Sequence, residues 1–413
     1  MVALTGTSQL RRKRIGEFQD MNSDIEEGPE DSRQIGIKVH GYLHSSIGLG
    51  HAARSYVRAA QRCDRLNVSW NPISLKNRDQ TNYQQEFPSK SAEYDAELSV
   101  FGLDRVDRYH DLQAVDSFSI LCPFWELSSI DQSIRTLHLH DSIWVASSFI
   151  ETAVNQFLDE RRAQARPHVL RMPLAIMDQP RNTYANNAGV FRILVSFDVN
   201  SWLSRKNPLQ AIRAFQAAFP KAKDTELIVK INPLTRDFRA LLRSFLPPMR
   251  QAYGRANSAF MSELKRLAAR DSRLTIINRS LTQGEMDALF SSINTYLSLH
   301  RSEGFGLGLA EALARQIPVV GTDYGGTTDF LNHSTGFPVS YELKALNSGD
   351  YVQAEGKVWA EPSIEDAAAA LRAIYDDFDG AVARAETGRR LIKSEFSYRA
   401  LADRIDAALG TLL

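Results

Sequence analysis

Residues 298–331 read "SLHRSEGFGLGLAEALARQIPVVGTDYGGTTDFL". A strand-like run, "NTYLSLH", leads into the segment. A glycine-rich loop, a helix-forming "AEALARQ" and a second apolar run, "IPVVGT", follow. Strand, loop, helix and strand in so few residues make a βαβ unit, which implies a parallel sheet. Glu303 and Glu311 flank the start of the helix. Helix-start amides and glycines suit an anion such as phosphate. Carboxylates in that place call for a second kind of partner, and vicinal hydroxyls are well matched to them.

The same alternation extends outward. Before the segment come "VFRILVSF", "NPLQAIRAFQAAF" with Pro208 near its start, "TELIVKI", "FMSELKRLAARD", "RLTIIN" and "TQGEMDALFSSI". These alternate strand and helix patterns. "WAEPSIEDAAAALRAIYDDF" and the amphipathic "SYRALADRIDAALGTLL" close the chain. A second alternating series runs upstream: "IGIKVHGYL", the glycine loop "SSIGLG", "HAARSYVRAAQRC", then "LNVSWNPIS", "SFSILCPFWE", "DSIWVASSF" and "HVLRMPLA". The expected fold class is α/β, with two Rossmann-like doubly wound domains facing a cleft. Expected boundaries are a mobile N-terminal arm at 1–34, an acceptor-side domain at 35–174 and a linker at 175–189. A donor domain at 190–396 and a final helix at 397–413, crossing back to the first domain, complete the chain.

Composition sets limits. The chain has 413 residues, enough for two domains, with 43% apolar and 24% charged residues, as in globular proteins. Its 49 basic and 49 acidic residues cancel, so no nucleic-acid partner is expected. Cys63 and Cys122 are the two cysteines, without metal-ligand spacing, which fits a reducing compartment. No apolar run approaches a membrane span. The expected location is the cytoplasm. "LRRKR" in the arm is either a solvated tail or a basic patch for peripheral contact with the inner membrane face.

Three loops follow strands in the second half. The first is "EGFGLGLAE", with Glu303, Phe305, Gly306, Leu307 and Glu311. "GTDYGGTTDF" offers Gly325, Gly326 and Thr327, and "SRKNP" offers Arg205 and Lys206. Together they are expected to cradle a diphosphate. A diphosphate flanked by hydroxyl-bearing rings is a nucleotide sugar, with Glu311 on the ribose and Glu303 on the sugar to be transferred. In the first half, Gly48 and Gly50 of "GLGHAA" mimic a dinucleotide fingerprint. The acidic residue due about 20 positions later is missing from "NVSWNPIS", so a phosphate or acceptor loop is the better reading. Trp125 and Glu126 in "CPFWELSS" suit a sugar acceptor or, equally, a core tryptophan with a capping glutamate. No metal motif occurs, and no metal or other cofactor is expected.

Glu303 and Glu311 within "SEGFGLGLAEALARQIPVVGTDYGG" resemble the signature of retaining glycosyltransferases of the two-Rossmann-domain (GT-B) class, family 4. "SLHRSEGFGL" resembles bacterial mannosyltransferases of surface polysaccharide synthesis. The resemblance implies a hexosyl contact for Glu303, with Phe305 and Gly306 giving backbone contacts to the hexose and its phosphate. It implies a ribose contact for Glu311, a diphosphate contact for Lys206 and a base site at Asn278 and Arg279 in "INRS". Family members often carry an arginine about five residues before that lysine. "SFDVNSW" has none there, and Arg205 is the expected substitute. The function implied is metal-independent, retaining transfer of a hexose, mannose favoured. The donor would be a GDP-, UDP- or dTDP-sugar and the acceptor a glycan or lipid-linked. Two alternatives stay open: a nucleotide-sugar epimerase or hydrolase on the same fold, and a non-catalytic nucleotide-sugar-binding subunit.

Overall fold

The computed structural model describes residues 34–75, 80–109, 116–161, 166–184, 189–232 and 247–413. The expected arm, apart from residue 34, lies outside the described residues, as does part of the expected linker.

The first sheet contains β1 (Ile35–Gly41), β2 (Leu66–Pro72), β3 (Ala96–Gly102), β4 (Phe118–Phe124), β5 (Ser142–Val145) and β6 (His168–Arg171). All neighbours are parallel, in the order β2-β1-β3-β4-β5-β6. The second contains β7 (Phe191–Asp198), β8 (Thr225–Asn232), β9 (Leu274–Asn278), β10 (Thr295–Ser298), β11 (Val319–Thr322) and β12 (Phe337–Val339). It is also parallel, ordered β12-β11-β10-β7-β8-β9. Helices cover both faces, which is why β5 is buried along its whole length and β3 in all but its last residue. A small antiparallel hairpin, β13 (Tyr341–Ala345) with β14 (Val358–Pro362), stands apart from both sheets.

The two halves read alike in sequence but differ in winding. In the second sheet the strand order reverses between β7 and β10, and in the first between β1 and β3. Ligands of open α/β sheets bind beyond the carboxyl ends of strands at such a reversal. The loop after β7, residues 199–207, and the loop after β10, residues 299–306, therefore emerge side by side. They carry Arg205, Lys206 and Glu303.

The junction between the domains is packed. One apolar cluster runs from Ile37, Leu98 and Trp144 of the first domain through Phe305, Leu309 and Phe330 of the second to Phe396. A separate cluster around Ile193, Phe215, Leu227 and Phe260 belongs to the second sheet. Ser147 Oγ donates to the Gly304 carbonyl at 2.6 Å, and the Ser148 amide donates to Asp329 Oδ2 at 3.0 Å. The last helix, Tyr398–Leu412, lies on the helix Gly48–Ala60 of the first domain. Cys63 Sγ donates to the Ala402 carbonyl there at 3.3 Å.

Candidate active site

The loop after β7 is held in an unusual path. Trp202 and Asn207 both adopt positive φ, 64° and 51°, which asparagine takes readily and a bulky tryptophan avoids. Between them the amides of Arg205 and Lys206 donate to the Trp202 carbonyl, at 3.1 and 3.3 Å. This tight turn aims two consecutive cations at the neighbouring loop. Strain of this kind gathers at functional sites, where the surroundings hold it in place.

Glu303 receives both cations. Arg205 Nη1 donates to its Oε2 at 2.9 Å, and Lys206 Nζ donates to its Oε1. Burial alone would push the Glu303 carboxyl up. Arg205, then Lys206, outweigh that and hold it well below the usual carboxylate range. Burial lowers the Lys206 ammonium from its ordinary value, against the pull of Glu303. The two cations differ in access. The Arg205 side chain is 4% exposed and that of Lys206 21%, so Lys206 is the more accessible of the two. Arg205 also donates to the Ser302 carbonyl at 2.9 Å and the Ser201 carbonyl at 3.2 Å, bracing both loops from beneath.

His300, in the loop just after β10, is fully buried. Its Nε2 lies 3.1 Å from the Tyr324 carbonyl, which can only accept, so Nε2 carries the proton and Nδ1 accepts from Ser298 Oγ at 3.1 Å. Burial pushes its imidazole down to about 4. It is a neutral packing residue.

Gly306, at φ +94°, turns the chain into the helix Leu307–Ala314, and a Cβ there would lie 2.3 Å from Thr327 Cγ2. The amides of Leu309 and Ala310 bond the Gly306 carbonyl, whereas those of Leu307 and Gly308 have no acceptor within the helix. Those two amides stand at the end of the helix where its dipole favours an anion. Glu311 sits one turn further along and is half-buried. Burial pushes its carboxyl up to about 6, with Arg315 opposing. No described residue makes a hydrogen bond to that carboxylate.

Other expected residues have different roles. The Gly326 amide donates to the Glu303 carbonyl at 2.7 Å, and Gly325 packs against the same residue. Thr327 is fully buried, its hydroxyl within the loop. This second loop therefore supports the Glu303 loop from behind. Trp125 is 1% exposed and donates through Nε1 to the Ser129 carbonyl at 3.0 Å, so its ring offers no acceptor platform. Glu126 is engaged by Tyr351 and by Arg205 Nη2, the latter at 3.6 Å. A Cβ at Gly50 would lie 2.2 Å from the Ser45 carbonyl, so Gly50 serves its own turn, while Gly48 faces open space. Arg54, unnoticed in sequence, closes that turn by donating to the Leu43 and Ser45 carbonyls, each at 2.7 Å. Asn278 and Arg279 are exposed at the carboxyl end of β9, with Arg279 paired to Glu285 at 2.8 Å. Among the described residues no three His, Cys, Asp or Glu side chains are placed to hold a metal ion, and no helix is long and apolar enough to cross a membrane.

A family model described as "Family 4 Glycosyltransferase in conflict systems" matches residues 149–405. No curated protein matches the chain. Among solved structures, HepE (Alr3699) from Anabaena, in complex with UDP and glucose, has a TM-score of 0.63 at 12% identity, over 92% of this chain and 100% of that one. Sucrose-phosphate synthase from Thermosynechococcus elongatus has a TM-score of 0.60 at 14% identity, covering 92% and 99%. α,α-Trehalose 6-phosphate synthase from Burkholderia multivorans has a TM-score of 0.60 at 12% identity, covering 92% and 97%. At these identities the likeness is one of fold, and the fold is GT-B.

Proposed function

The chain belongs to the family 4 glycosyltransferases described in conflict systems, and from that membership we propose that it is a retaining enzyme. It moves a hexose from a nucleoside diphosphate donor to a hydroxyl of a glycan or lipid-linked acceptor. The observation that carries this reading is the convergence of Lys206, Arg205 and Glu303 at the reversal point of the second sheet, beside the helix start that leads to Glu311.

The chemistry follows from the charges. The bond between the anomeric carbon and the diphosphate breaks, and negative charge builds on the departing oxygen. Lys206 and the amides of Leu307 and Gly308 stabilise that charge. Glu303, kept ionised, accepts from hydroxyls of the hexose and orients the ring. The acceptor hydroxyl attacks from the face the diphosphate leaves, and its proton passes to the departing phosphate oxygen. A UDP-hexose is the first donor to test, because HepE has been solved with UDP-glucose. GDP-mannose is the second, because "SLHRSEGFGL" resembles mannosyltransferases of surface polysaccharide synthesis. Incubating the protein with UDP-, GDP- and dTDP-hexoses, with and without acceptor glycans, tests the reading. Acceptor-dependent release of nucleoside diphosphate supports it. Release without acceptor points to a hydrolase, a changed sugar to an epimerase, and binding without turnover to a non-catalytic subunit.

Activity should persist in EDTA, because lysine and helix amides do the electrostatic work on the diphosphate. Full loss restored by one divalent cation would contradict that assignment.

Glu311 supplies a pH signature. Its carboxyl titrates at about 6 in the folded protein, and only the ionised form accepts from both ribose hydroxyls. The donor KM should therefore rise as pH falls through about 6. Glu311→Gln should show a higher KM than wild type well above that pH, where Glu311 is ionised, and lose the pH dependence. A KM profile identical in the two proteins would place Glu311 in a structural role.

A further inference from the structure

The segment 346–357 joins β13 to β14 and lies across the domain junction. It grips the first domain at two points: Lys357 Nζ, beside β14, donates to Ser129 Oγ at 2.9 Å, and the Tyr351 hydroxyl donates to Glu126 Oε2. The Tyr351 ring, 6% exposed, meets Trp125 of the first domain edge-on at 5.7 Å and Trp202 of the second at 5.6 Å. Its root grips the second domain. Glu361 of β14 accepts from Arg301 Nε and Nη2 at 3.0 and 2.9 Å, and the Ala360 amide donates to the Arg301 carbonyl at 3.0 Å. Arg301 in turn donates through Nη1 to the Ser204 carbonyl at 2.7 Å, and through its amide to the Arg205 carbonyl at 2.8 Å. One strap thus touches the loops that carry Arg205 and Glu303, and the end of β4 in the other domain.

The contacts form a continuous chain. Tyr351 holds one oxygen of Glu126, the other lies 3.6 Å from Arg205 Nη2, and Arg205 Nη1 donates to Glu303 at 2.9 Å. Arg205 is shared between two carboxylates, so whatever fixes Glu126 also decides how Arg205 divides itself. We propose that Tyr351 is a positioning residue for transfer: its hydroxyl anchors Glu126, which leaves Arg205 directed at Glu303. The inference rests on the reading of Glu303 as the group that orients the hexose.

Tyrosine is suited to the task. Its ring fills the space between two tryptophans, and its hydroxyl satisfies a carboxylate that is largely shielded from water. Phenylalanine would keep the packing and lose the donor. Glu126 would then turn fully to Arg205 and draw it from Glu303. The nucleotide contacts proposed for Glu311 and the helix amides do not run through this chain, and Lys206 meets it only at the far end, through Glu303. The loss should therefore appear in the chemical step and not in donor affinity.

The test is steady-state kinetics of the full chain as wild type, Tyr351→Phe, Glu126→Gln and the double variant, with Glu303→Gln alongside. Tyr351→Phe should lower kcat roughly 10-fold, the scale of one hydrogen bond to a charged group, with donor KM within about twofold. In the Glu126→Gln background Tyr351→Phe should cost nothing further, because the group it acts through is gone. Wild-type kcat in Tyr351→Phe, a change confined to KM, or an equal loss in both backgrounds would overturn the proposal. If Glu303→Gln is inactive while Tyr351→Phe is normal, the positioning role fails and the reading of Glu303 stands. If Glu303→Gln is fully active, that reading fails and the proposal with it.

Discussion

Glu303→Gln should lower kcat by roughly 10²–10³-fold or more while the affinity for nucleoside diphosphate holds or rises. The glutamate has two jobs in the structure. It is the ionised acceptor proposed for the hexose hydroxyls, and it is the counter-ion of Lys206 and Arg205. An amide of the same shape loses both, since it carries no charge and can accept at only one of its two positions. Sugar orientation is lost in the transition state, where it matters most. Freed from their counter-ion, the two cations present more positive charge to a diphosphate, so product-like ligands bind no worse. Calorimetry with UDP and turnover with the preferred donor measure the two halves separately. Near-normal turnover would remove Glu303 from the chemistry. Loss of UDP affinity would mean that the carboxylate faces the nucleotide.

The second large effect belongs to Lys206. Its contact with the diphosphate strengthens as the leaving group gains charge, so Lys206→Ala should lower kcat more than it raises KM, by roughly 10²–10³-fold. Arg205→Ala is expected to differ in kind. Arg205 is buried and donates to two backbone carbonyls, so its removal leaves unsatisfied acceptors in both loops and lowers the melting temperature as well as activity. Lys206, partly exposed and bonded to Glu303, can go with little change in melting temperature. Equal melting temperatures for the two variants, with equal loss of kcat, would return Arg205 to the diphosphate-binding role first expected of it.

Residue order alone reaches the alternation of the second sheet because its strands are apolar runs bounded by turn chemistry. "VFRILVSF" becomes most of β7 and "NTYLSLH" contains β10. Loops that follow such strands share one edge of the sheet, which is why Arg205 and Lys206 meet Glu303. Division of labour inside that group is not legible, because it depends on depth. Arg205 and Lys206 are neighbours in sequence and differ in the structure by burial. The glycines mislead for a related reason. A residue without a side chain signals close approach but not what approaches, and at Gly304 and Gly326 it is the backbone of Trp125 and of Gly304 itself. The hairpin of β13 and β14 announces no packed sheet, since "YELKA" alternates apolar and charged residues as a strand does but is exposed at every position, so the alternation marks no buried face. Tyr351 is likewise silent, because its partner Glu126 lies in the other domain.

A crystal structure with UDP and the preferred hexose tests the central claim most directly. The account places the β-phosphate against Lys206 Nζ and the amides of Leu307 and Gly308, the ribose hydroxyls on Glu311 and the hexose on Glu303. A nucleotide seated elsewhere, for example over the Gly48 turn of the first domain with Lys206 still closed on Glu303, would contradict it.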